Sequence, residues 1–202
     1  HTAKARPHPL PMKRSRGDER APPPRDDRRS EEERVVSLLV RIGERSLDSI
    51  HAHLDGLARA LYADIPQHGP LIVDTLLDAA RHLPHKTGIY ASLAGLLNVS
   101  DPAFGERLVR AAFAELQRAL SEHRPAEARA YLRLLSELAC VGCVHTGTLA
   151  DVFDDLLAAA LDGAPADERA AHESPLCRQL WADSIVHAAL SALPHAAHAL
   201  RR

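Results

Sequence analysis

Cys140, Cys143 and His145 fall within the six residues CVGCVH, the densest set of soft ligands in the chain. Two cysteines at this spacing make half a tetrahedral zinc site, with His145 as a third ligand. The sequence has only one other thiol, Cys177, so a fourth ligand is not supplied nearby. A c-type haem attachment needs the histidine directly after the second cysteine, which this sequence does not have. A dithiol redox pair wants a strand–helix setting, and no strand pattern precedes Cys140. The reading that remains is small residues packing a helix end.

Other residues with chemical potential are scattered. The thirteen histidines form no HExxH and no finger spacing. His51 and His53 are two apart and point to different sides of a helix, and His82 and His85 straddle a proline. Asp154 and Asp155 are neighbours on the outer edge of a helix. GxGxxG, GxxxxGK[ST] and GxSxG are all missing. No nucleophile is nominated with its base, so the expectation is a chain that is not an enzyme, with no cofactor and no metal.

The elements that would carry these residues are helical. Hydrophobic residues are 46% of the 202-residue chain but aromatics only 3%, with Ala and Leu dominant, a composition that favours helix over sheet. Ser30 with Glu33 resembles a capping box opening a helix through Val35, Leu38, Leu39 and Ile42, stopped at Gly43. A second helix carries Leu47, Ile50, Leu54, Leu57 and Leu61 and ends at Pro66. A third starts there, with Leu71, Leu76, Leu77 and Ala80 inward.

Pro84 ends the third helix and suits the first turn of a fourth, lined by Ile89, Leu93, Leu96 and Leu97. Gly95, inside that helix, costs about 1 kcal/mol and is expected to admit a close neighbour. Asp101 caps a fifth helix, with Pro102 at its first position and Phe104, Val109, Phe113, Leu116 and Leu120 as its stripe. Pro125 begins a sixth, with Tyr131, Leu134, Leu135 and Leu138 inward. Thr146 or Thr148 caps a seventh, carrying Leu149, Val152, Phe153, Leu156 and Leu157. The segment DGAPADERAAHESP reads as a loop. An eighth helix follows through Leu180, Trp181, Ile185 and Ala189, ended or kinked by Pro194. The expected fold is all-α: a HEAT-like α-solenoid of about four antiparallel hairpins, each of about 40 residues. A globular bundle is the competing architecture.

Charge divides the chain differently. Residues 1–30 carry nine Lys/Arg against four Asp/Glu, a net of +5, whereas the remainder carries sixteen against twenty-three, a net of −7. The prolines and charges of residues 1–30 cannot bury enough apolar surface to fold, so this segment is expected to be a disordered tail ahead of a helical domain over 31–202. Within it Lys13, Arg14 and Arg16, with Lys4 and Arg6 upstream, look like a nuclear-import signal. The acidic body repels phosphate, and the seven aromatics fall on or beside apolar stripes, so direct RNA stacking by the body is disfavoured. An odd cysteine count fits a reducing compartment, and no apolar run approaches the roughly 20 residues of a membrane span. The chain begins with His1, which suggests a fragment of something longer.

Six stretches, VRIGERSL, HLDGLARALYADIP, ARHLPHKTGIYASLAGLLN, FGERLVRAAFAEL, YLRLLSEL and ALSALPHA, together resemble the first helical domain of the large-subunit family of the nuclear cap-binding complex. The resemblance runs from about Glu32 to Leu200. It implies the HEAT-like middle domain of initiation factor four-G and a scaffold without catalysis. A small RNA-recognition-motif subunit would hold the methylguanosine cap, so capped RNA is met indirectly. Export, splicing and decay factors, and importin at the tail, would be the other partners, with a nuclear address and cytoplasmic shuttling left open. The family's large subunit has three such domains, and this chain stops after one, which puts assembly by this piece alone in question. A cytoplasmic translation or decay scaffold of the same fold, docking an RNA helicase, is the alternative.

Overall fold

The computed structural model describes residues 27–42, 50–162 and 175–201, with side chains over 31–42, 50–161 and 179–201. The tail with Lys4, Arg6, Lys13, Arg14 and Arg16, the stop at Gly43, the start at Leu47 and most of the DGAPADERAAHESP segment lie outside the described residues. Within them there are seven α-helices and no strand: α1 (Asp27–Val40), α2 (Ile50–His82), α3 (Thr87–Ser100), α4 (Pro102–Ser121), α5 (Pro125–Cys140), α6 (Thr146–Asp162) and α7 (Pro175–Leu200). A single 3₁₀ turn, Pro84–Lys86, joins α2 to α3.

The all-α solenoid expected from the sequence is the fold found. Helices adjacent in sequence pack on each other, and α5 also packs against α3 on one side and α7 on the other. The second helices of successive hairpins, α3, α5 and α7, thus stack in a row, the signature of a solenoid rather than a closed bundle. The register of that row is visible in side chains. Arg129 Nη1 meets His187 Nε2 at 3.1 Å, and Glu137 Oε1 meets His195 Nδ1 at 2.9 Å. Both pairs are separated by 58 residues, so α5 and α7 run parallel.

The helix count differs from expectation in one place. The break at Pro66 is absent: α2 runs unbroken through both Pro66 and Pro70. Its buried stripe holds phase across them, through Leu61, Ile65, His68, Gly69, Ile72 and Val73. Both prolines are exposed, so burial of that stripe outweighs the backbone bonds they remove. Pro194 likewise lies inside α7 rather than ending it, and Ala192, Ala196 and Ala199 stay buried across it. At the other end, α1 begins at Asp27, so Ser30 falls in its first turn and does not cap it.

The hinge between α2 and α3 is as the sequence implies. Pro84 occupies the first 3₁₀ position, and the Thr87 hydroxyl donates to the Pro84 carbonyl at 2.9 Å while Thr87 is fully buried. In α3 the buried face is Tyr90, Leu93, Ala94 and Leu97, with Ile89 and Leu96 half-buried. The helix lies between α2, α4 and α5 and is covered on more than one side, so a single stripe understates it. Gly95 faces the turn after α5: a Cβ there would sit 3.0 Å from Val141 Cβ. The close approach is real, made by a helix end rather than a helix flank.

Asp101 caps α4 as expected, accepting from the Phe104 amide at 3.1 Å, with Pro102 at the first position. On α4 Phe104, Leu108, Ala112, Leu116 and Ala119 are buried, whereas Val109, Phe113 and Leu120 are only half-buried. All four residues expected inward on α5 are buried. Two expectations fail on the last hairpin. Leu157 on α6 and Leu180 on α7 are exposed, because α6 leans on α7 with only light contact to α5, leaving a narrow buried stripe of Leu149, Phe153 and Leu156.

Candidate interaction surface

The CVGCVH stretch is a helix terminus. Gly142 has φ +79°, its amide bonds the Ala139 carbonyl at 3.1 Å, and the Cys143 amide reaches back to Leu138 at 2.9 Å. This pair of bonds around a left-handed residue is the Schellman arrangement that closes α5. The Cys140 thiol donates to the His195 carbonyl on α7 at 3.0 Å. Cys143 is buried enough that desolvation pushes its thiol up to about 11, away from the thiolate that a metal or redox site needs. His145 is the N-cap of α6: its Nδ1 accepts from the Gly147 amide at 3.1 Å, and its carbonyl accepts from Leu149. The cap is therefore neither Thr146 nor Thr148. An imidazole in this role was not legible, because hydroxyl side chains follow it at both positions.

The other candidates go to separate places. His51, His53, His82, His85, Asp154 and Asp155 are all exposed. His82 Nδ1 lies 2.9 Å from the Asp78 carbonyl one turn back. The histidine that the sequence reading passed over, His68, is buried in α2, and its Nε2 lies 3.2 Å from Glu31 Oε2. With the Arg34–Asp64 pair at 2.8 Å, it clasps α1 to α2.

Ion pairs concentrate where α2 ends and α5 begins. Arg124 holds Glu127 with one nitrogen, 2.8 and 2.7 Å from its two oxygens, and Glu122 at 2.8 Å. Arg81 reaches Glu127 at 3.6 Å and Asp78 at 3.0 Å. Beside them Arg118 pairs with Glu115, which raises the guanidinium above its usual value. Burial, then the Glu115 charge, raises the Tyr131 hydroxyl. Three guanidinium groups thus meet four carboxylates at this junction. They orient the α2–α5 junction.

The aromatic rings are spent on packing. Tyr90, Phe104, Tyr131 and Phe153 are buried, and Phe113 and Trp181 are half-buried. Trp181 lies against the His123 ring at 4.7 Å between centroids. Tyr62 alone of the seven is largely exposed, at 49%. A sandwich of two free rings for a nucleobase is not assembled among them. What the described surface offers is grooves between stacked helices. One is a small apolar cleft between α4, α5, α6 and α7, lined among others by Leu120, Leu132, Leu156, Trp181 and Ile185.

Comparison with known proteins places this surface in a family. Residues 32–201 match the MIF4G domain. The chain is 32% identical over 163 residues to nuclear cap-binding protein subunit 1-A of Xenopus laevis, covering 81% of this chain and 19% of that protein. It is 35% identical over 126 residues to nuclear cap-binding protein subunit 1 of Gallus gallus, covering 62% of this chain and 16% of that one. The Homo sapiens subunit 1 is 31% identical over 168 residues, 83% of this chain and 20% of its own length. The chain thus spans about a fifth of the length of the curated relatives it matches. With the helical row of α3, α5 and α7 and a family match over nearly all of the helical part, this chain belongs to the MIF4G domain family.

Proposed function

We propose that this chain is a scaffold domain of the large subunit of a nuclear cap-binding complex. In this reading a small RNA-recognition-motif subunit holds the methylguanosine cap. The MIF4G domain supports that assembly and couples capped RNA to splicing, export and decay factors through grooves between its helices. Lys13, Arg14 and Arg16, with Lys4 and Arg6, act as the import signal read by importin, and the protein works in the nucleus. The observation that carries the reading is the similarity to cap-binding subunit 1 proteins over four-fifths of the chain. It is supported by the burial of the rings, which leaves cap stacking to another polypeptide.

Two measurements test it. In cells, a fluorescent fusion of the chain accumulates in the nucleus, and replacing Lys13, Arg14 and Arg16 with Ala abolishes that accumulation. An unchanged, cytoplasmic distribution of the intact fusion would favour a translation or decay scaffold of the same fold. In vitro, the purified chain shows no preference for capped over uncapped RNA. Tight, selective retention of capped RNA by this chain alone would refute the assignment.

A further inference from the structure

We draw no further inference here: the strongest candidate, the outer face of α7, where Leu190, Leu193 and Leu200 are exposed on a helix with no Lys, Arg, Asp or Glu from Ser184 to Leu200, is an unpartnered apolar surface, and nothing in the structure shows what covers it.

Discussion

Gly95 and Val141 show how one side chain's absence sets a contact between elements. The turn that closes α5 rests on α3 with Val141 Cβ 3.0 Å and Cγ2 3.2 Å from where a Gly95 side chain would begin. Gly95→Val should cost about 1–3 kcal/mol by overpacking, and Val141→Ala in the same chain should recover at least half of it, both read by urea denaturation. Cys143 supplies a second test at this scale. Burial raises its thiol from 9.0 to about 11, so the native state holds that proton more tightly than the unfolded chain does. Its contribution to stability is complete below about pH 9 and is lost as the pH climbs towards 11. With Cys140 and Cys177 replaced by Ser, alkylation of Cys143 at pH 8 should be about a hundredfold slower in the folded protein than in urea. Equal rates would show that the thiol is not sheltered. From sequence, CVGC offers the same letters to a metal and to a helix end; the φ of Gly142 and the bond from Cys143 to Leu138 tell them apart.

Among the elements, α2 departs most from what its residues suggest one at a time. Pro66 and Pro70 each delete a backbone donor, and local chemistry places a boundary there. The helix continues because Leu61, Ile65, Ile72 and Val73 stay in one buried line. The prolines tax α2 without shaping its buried face. Pro70→Ala, at an exposed position inside α2, should therefore raise the unfolding free energy by about 1 kcal/mol or more, visible as a higher urea midpoint with an unchanged slope. A lower midpoint would mean that the ring fixes a bend the packing needs. The short junctions were the legible ones. Pro84, Asp101–Pro102 and Pro125 each start a helix where expected, since there the cap, the proline and the apolar stripe all point to one boundary.

In the whole molecule, the row α3–α5–α7 makes α5 the common neighbour. Its buried residues Leu132, Leu134, Leu135 and Leu138 face helices that lie far apart in sequence. Removing residues 175–202 strips α7, its most extensive neighbour. That truncation should lose the single cooperative transition and bind a hydrophobic dye, whereas the full chain should unfold in one step. A truncated chain that melted cooperatively near the wild-type temperature would mean that the repeats are independent.

Periodicity, caps and composition by themselves determined an all-α chain of stacked hairpins, with most rings turned inward. These are local properties, fixed by 3.6-residue spacing and by which residues tolerate a helix end. Tertiary structure alone decided that α2 is one helix and that His145 rather than a threonine caps α6. It also decided that Arg129 meets His187 across the α5–α7 seam. Each of those outcomes depends on which surfaces meet across tens of residues. A side chain's partner there is set by the stacking of whole helices, and its sequence neighbours carry no record of it.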